Sequence, residues 1–263
     1  MLRAIVFDLD GVVYKDAHAI QGVAEEIARL QKKVAVLFLT NNATKSRADY
    51  VRHLQAFGIA ADMNAIMTSS FGAACYLREK YGKGKKVFVI GESGLKDELA
   101  QEADAAIIEG REKADAVVCG LDRYISYEKY ELALGSLNSG AAFILANSDP
   151  TWPKKDGVAP GSGAIAAPLV FASGRQPEFV AGKPSSYLID RLLEMHKINP
   201  KEAAFVGDRL EIDIRMANAL GMISVLVLTG IAKKEDVGKA PATDKPQIVL
   251  ESAVGAGRAL KIL

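Results

Sequence analysis

Two of the carboxylates in this 263-residue chain close an apolar run: Asp8-Leu9-Asp10-Gly11 follows Ala4-Ile5-Val6-Phe7 directly. In an open α/β sheet, ligands bind beyond the carboxyl ends of the strands. Asp8 and Asp10, two residues apart, can then face one crevice. One would act as nucleophile and the other as acid/base, provided their surroundings separate their pKa values. The same tetrapeptide also suits a simple turn, because Asp and Gly commonly terminate strands. Gly207-Asp208-Arg209 repeats the pattern after Ala204-Phe205-Val206, with Asp213 five residues beyond Asp208. Together with Asp8 these carboxylates would form an oxygen-rich site suited to magnesium. The alternative is a solvated turn and helix start.

Two further segments offer groups for an anion. Thr40-Asn41-Asn42 follows the apolar run 34–39 and carries a hydroxyl, two amides and backbone N–H groups, which suit an anion. Thr and Asn are equally favoured as helix N-caps. Gly182-Lys183-Pro184 precedes a helical pattern of Leu188, Leu192 and Met195, with Pro184 suited to the first helical position. A lone Lys at a helix start is usually solvated, but from here its ammonium can reach the same crevice.

The elements that must hold these residues follow from periodicity. Strands are expected at 4–7, 34–39, 87–90, 116–119, 143–146, 204–206, 223–228 and 248–250. Val23, Ile27 and Leu30 recur at helical spacing between the first two. Val51, Leu54 and Phe57 form a second helical set, with Gly58 placed for its end. Near-continuous apolar strands separated by helices indicate parallel sheets covered on both faces, an α/β doubly wound fold. Tyr81-Gly82-Lys83-Gly84-Lys85-Lys86 and Gly174-Arg175-Gln176-Pro177-Glu178 read as hinges around an inserted module. The expected division is a discontinuous core of residues 1–81 and 180–263, with residues 82–179 inserted.

Composition removes several function classes. With 33 Lys and Arg against 32 Asp and Glu, no broad basic field exists to hold nucleic acid. No apolar run reaches the roughly 18 residues of a membrane span, and the start lacks a signal-peptide pattern. Cys75 and Cys119 stand apart from any metal-binding or disulfide pattern, which fits the cytoplasm. His18, His53 and His196 are scattered and read as surface or satisfied side chains. Gly91-Glu92-Ser93-Gly94 lacks the Lys and Ser/Thr of a nucleotide-binding loop and reads as a strand–helix connection.

The order Asp-x-Asp, Thr-Asn, Lys, Gly-Asp-x4-Asp along the whole chain resembles the haloacid dehalogenase (HAD) superfamily of phosphatases. Asp8-Leu9-Asp10-Gly11-Val12-Val13-Tyr14, Thr40-Asn41-Asn42-Ala43-Thr44-Lys45, Ala181-Gly182-Lys183-Pro184 and 207–214 fit its NagD-like, p-nitrophenylphosphatase-like subfamily. Ile212 departs from that pattern, where relatives commonly carry Thr. The resemblance implies a phosphomonoester hydrolase working through an aspartyl-phosphate. In it Asp8 is the nucleophile, Asp10 the acid/base, and Lys183 a fixed positive charge. Thr40, Asn41 and Asn42 bind the phosphoryl group. Mg²⁺ is held by Asp8, the Asp10 carbonyl and Asp208, with Asp213 ligating directly or through water. The insertion becomes an α/β cap, and the segments containing Asn147, Asp149 and 160–165 approach the substrate. Trp152 either packs locally between prolines or lines the leaving group by apolar or stacking contact.

The implied partner is a small phosphorylated metabolite: a sugar or polyol phosphate, phosphoglycolate or a nucleoside monophosphate. Neither nucleic acid nor membrane is implied, and the resemblance leaves room for a homodimer through the cap. Two other readings remain at this point, a non-catalytic receiver-like phosphate-sensing module and a phosphotransferase or mutase on the same scaffold. The first would need neither Asp10 in acid/base position nor a domain-sized insertion.

Overall fold

A computed structural model describes residues 1–154 and 157–263, which separate into two compact units. The first comprises residues 1–40, 51–67 and 183–263; the second comprises 41–50 and 68–182.

The first unit is built on a six-stranded sheet in the order Ile248–Leu250, Ile223–Val227, Ala203–Gly207, Ala4–Asp8, Ala35–Thr40, Ile66–Thr68. Ala4–Asp8 pairs in parallel with strands on both sides: Val6 is opposite Phe205 on one and Leu37 on the other. Every residue of Ala4–Asp8 and of Ala203–Gly207 is buried, as a central parallel strand requires. Successive strands step outward in one direction from Ala4–Asp8, and after residue 200 they step outward in the other. The reversal lies between Ala4–Asp8 and Ala203–Gly207, the place where a doubly wound sheet leaves a crevice at its strand ends. Helix Val23–Leu30 buries Val23, Ile27 and Leu30, the expected stripe.

The second unit has its own five-stranded sheet: Phe179–Val180, Ala142–Leu145, Ala116–Cys119, Lys86–Ile90, Ala106–Ile108. All of its registered pairs are parallel. Phe88, Val117, Phe143, Leu137 and Leu169 belong to its core, and helices Tyr127–Asn138 and Ser162–Ser173 contribute to it. A hairpin, Thr151–Lys154 with Gly157–Pro160, is antiparallel.

The contact division differs from the hinge-based boundary at 81/82, because segments 41–50 and 68–81 pack with the second unit. The physical reason is a partly buried ionic network. Arg47 pairs with Glu98 at 3.1 Å, and its guanidinium lies 3.4 Å from the Phe71 ring centroid. The Arg47 backbone N–H also donates to Glu98 at 2.6 Å. Arg78 of helix Ser69–Tyr81 pairs with Glu102 of helix Ser93–Ala103. No periodicity in the sequence announces such pairs. The expected helix start at Pro184 is also corrected. Lys183 and Pro184 lie in a turn and the helix runs Tyr187–Met195, with the Ser185 hydroxyl accepting from the Tyr187 N–H.

Candidate active site

In the first unit, Asp8 is the last residue of its strand and Thr40 the last of the neighbouring one. Thr40 is therefore no helix cap, since the next helix begins only at Arg47. After Asp8 the chain folds tightly back, with the N–H groups of Val12, Val13 and Tyr14 all directed at the Leu9 carbonyl. Gly11 makes this turn with φ 80, and a Cβ there would stand 2.6 Å from Asp208 Oδ2. Only glycine meets both conditions. The turn presents Asp10, half-buried, with the hydroxyls of Thr40 and Tyr14 each 3.5 Å from its Oδ2.

Lys183 is 3% exposed and donates to Asp8 Oδ1 at 2.7 Å and to Asp213 Oδ1 at 2.8 Å. It is not the solvated lysine that its sequence position alone would suggest. Asp213 is returned toward the strand end by a π-helical turn, Leu210–Ile214, in which the Ile214 N–H reaches back to the Arg209 carbonyl. The other Asp213 oxygen accepts the N–H groups of Asp208 and Arg209, each at 3.1 Å. Asp208 Oδ2 accepts the Ile231 N–H at 2.8 Å. Asp208 and Asp213 are thus buried and rigidly held rather than solvated.

Asp8, Asp208 and Asp213 each offer an oxygen within 4.8 Å of the others. With all three carboxylates ionised, the single positive charge of Lys183 would leave an excess of two negatives. Burial pushes the Asp8 carboxyl well above its usual range despite the neighbouring ammonium. Burial and Asp213 push Asp208 up to about 7. Lys183 moves upward too: burial opposes its charge, but Asp213 and Asp8 outweigh that effect. Buried hard oxygen donors carrying two uncompensated negative charges fit a divalent cation such as magnesium.

This electrostatic tension has a measurable consequence. Asp208 titrates near 7 in the fold and at 3.8 ordinarily, so the native state retains a proton between those values. The metal-free protein should therefore lose stability as pH rises from about 4 through about 7. Burial raises Asp8 as well, and it adds to the slope. Thermal melts in chelator should give a lower Tm near pH 8 than near pH 5, and Asp208→Asn should shrink the difference. A metal-free Tm that climbs across this range would contradict the charge excess.

The second unit contains the remaining expected residues. Asn41 directs its amide N–H groups at Asp149, 3.2 Å from both carboxylate oxygens. Asn147 donates to the Asn41 carbonyl at 2.6 Å. Asn42 turns its Oδ1 to the Thr44 N–H and hydroxyl, at 3.0 and 2.7 Å. Trp152 is half-buried on the hairpin opposite Ala159, with Lys154 Nζ 5.8 Å from its ring centroid.

Reading the sequence missed the loop Thr229-Gly230-Ile231. Besides the Ile231 contact, the Thr229 hydroxyl donates to the Gly11 carbonyl at 2.6 Å and the Ala232 N–H to the Asp208 carbonyl at 3.0 Å. The available signal was a Thr-Gly pair after the apolar run 223–228. Among the described residues, no helix is long and apolar enough to cross a membrane.

Residues 5–103 match the family model described as haloacid dehalogenase-like hydrolase, and residues 180–256 match the one described as HAD-hydrolase-like. A 4-nitrophenylphosphatase of Schizosaccharomyces pombe is 36% identical over 270 residues, covering 94% of this chain and 90% of that protein. An acid sugar phosphatase of Staphylococcus saprophyticus is 34% identical over 238 residues, covering 90% of each. The crystal structure of a glycerol phosphate phosphatase from Mycobacterium tuberculosis in complex with magnesium aligns with a TM-score of 0.87 at 31% identity. That alignment covers 96% of this chain and 76% of that one.

Proposed function

The chain belongs to the haloacid dehalogenase-like hydrolases, in their NagD-like, p-nitrophenylphosphatase-like group of phosphatases, and we propose that it hydrolyses small sugar or polyol phosphates with magnesium through an aspartyl-phosphate. The observation that carries this reading is the buried Lys183 ammonium between Asp8 and Asp213 at the carboxyl end of the central strands. The substrate class follows from relatives named for sugar and glycerol phosphates.

In the proposed reaction a carboxylate oxygen of Asp8 forms a bond to phosphorus while the bond to the ester oxygen breaks. Asp10 gives its proton to the departing alkoxide, then as carboxylate takes one from the water that attacks phosphorus. The Asp8–phosphate bond breaks, inorganic phosphate leaves, and both carboxyl groups return to their starting states. Thr40, Asn41 and Asn42 are assigned to the phosphoryl oxygens, and Lys183 to the neutralisation of charge on the reacting group. Asp8, the Asp10 carbonyl and Asp208 are assigned as ligands of Mg²⁺. Asp213, whose two oxygens already accept from Lys183 and two backbone N–H groups, is assigned to orienting them. Bound there, Mg²⁺ offsets phosphoryl and carboxylate charge, which matters because phosphoryl transfer relies chiefly on positioning and electrostatics. Selection of the leaving group is assigned to the inserted unit, acting as a cap.

The test is phosphate release from a panel of phosphomonoesters, with magnesium and with chelator. Release that persists undiminished in chelator would overturn the metal's role, and no release from any ester would overturn the reading itself. Transfer of phosphate to a second sugar hydroxyl rather than to water would instead indicate a phosphotransferase. The Asp10 role has its own measurement. Asp10→Asn should lose about 10²- to 10⁴-fold with alkyl phosphates and much less with 4-nitrophenyl phosphate, whose leaving group needs little protonation. An equal loss with both would remove Asp10 from the acid/base position.

A further inference from the structure

Asn147 and Asp149 are reserved by family resemblance for the substrate, but their contacts within the second unit describe a different task. Asp149 meets the side-chain amide of Asn41 with both carboxylate oxygens. Asn147, 3% exposed, donates to the Asn41 carbonyl and accepts the Asp149 N–H at 3.2 Å. The Ser69 hydroxyl, fully buried, donates to that same carbonyl. Asn41 is therefore fixed at its side chain and at its backbone.

A second segment joins this cluster. Strand Phe179–Val180 runs beside Ala142–Leu145, and its ladder continues until the Gly182 N–H meets the Ala146 carbonyl at 2.8 Å. A Cβ at Gly182 would lie 2.6 Å from Asn147 Cβ and 2.7 Å from Asn41 Oδ1, so glycine alone permits this approach. Asn41 and Gly182 are thus pressed together around Asn147. Each is one peptide bond from a residue at the candidate site: Thr40 precedes Asn41, and Lys183 follows Gly182.

We propose that Asn147 and Asp149 are positioning residues that act through Asn41 and Gly182 to set the pose of Thr40 and Lys183. The inference rests on the phosphatase reading above. Charge supports it: a carboxylate facing a phosphoryl dianion would repel it, whereas facing an amide it is satisfied. Displacements of about 1 Å in such a frame cost on the order of 10²-fold in rate.

The experiment compares kcat and KM of full-length Asp149→Ala, Asp149→Asn and Asn147→Ala for 4-nitrophenyl phosphate, glycerol phosphate and a hexose phosphate. The expected result is a fall of about 10- to 100-fold in kcat, by the same factor on every ester to within about twofold. Asp149→Asn should recover part of the loss, since its carbonyl oxygen still accepts from Asn41. A loss confined to one ester would overturn the proposal in favour of direct contact with the leaving group. A lowered Tm with unchanged kcat would reduce the cluster to a structural role. Asp149 is half-buried, so its pair of variants carries the test if Asn147→Ala fails to fold. Wild-type turnover of the three esters, absent in Asp8→Asn, decides the phosphatase reading separately.

Discussion

Asp8→Asn is expected to abolish phosphate release, a fall on the order of 10⁶-fold, the size seen when a covalent nucleophile is removed. The amide is close in shape to the carboxylate but cannot supply the anionic oxygen to which the proposed reaction assigns the bond to phosphorus. It still has a carbonyl oxygen to accept from Lys183, 2.7 Å away in the wild type. The structural cost should therefore be small. It also removes an ionisable carboxyl from a crowded acidic group, so the metal-free variant should melt no more than a few degrees from wild type. Two measurements check the prediction, 4-nitrophenolate release and a thermal melt in chelator. Turnover near the wild-type rate would sink the assignment of the nucleophile. A collapsed melt would show instead that Asp8 serves the fold.

Lys183→Met should damage both activity and stability. In the wild type the ammonium is flanked by carboxylates at 2.7 and 2.8 Å, with almost no exposure to water. Removing one partner of a buried ionic group leaves the others uncompensated, at a cost of about 3–5 kcal/mol. For a chain of this size that corresponds to a Tm loss of roughly 6–20 °C. Lys183 is raised in the fold, so its own stabilising contribution is complete below its ordinary value of 10.5. It stays constant between about pH 5 and pH 8. Any pH dependence that the Met variant gains in this window belongs to the carboxylates it has exposed to one another. The penalty should grow toward pH 8. Adding Asp213→Asn to Lys183→Met should restore part of the Tm by removing one uncompensated charge, but no activity, since the positive charge assigned to the phosphoryl group is still missing. A Met variant as stable as wild type at pH 8 would contradict the geometry around Lys183.

The strands were legible because their composition is nearly self-sufficient evidence. Ala4–Asp8 and Ala116–Cys119 are buried on both faces, and a parallel strand with two covered faces reads as an unbroken apolar run. The short strands Ile66–Thr68 and Ala106–Ile108 were not legible, since each carries only two large apolar side chains, too few to stand out as a run. Nor was the hairpin Thr151–Lys154 with Gly157–Pro160, in which prolines interrupt the pattern. Asp8 and Asp208 were readable from strand ends, because the sheet geometry puts such residues in its crevice.

What the sequence by itself determined is the α/β class, the order of the carboxylates, the Thr-Asn pair and the lysine, and through them the family. These are local features: each is a residue type beside a run of neighbours, and physics within a few residues is enough to read it. Tertiary structure alone decided that Lys183 is buried between Asp8 and Asp213, that Arg47 commits its segment to the second unit, and that Asp149 is turned to Asn41. Each of these joins positions 30 to 175 residues apart. A charged side chain gives no sign in the sequence of which distant partner will compensate it once water is excluded, and burial makes that partner decisive.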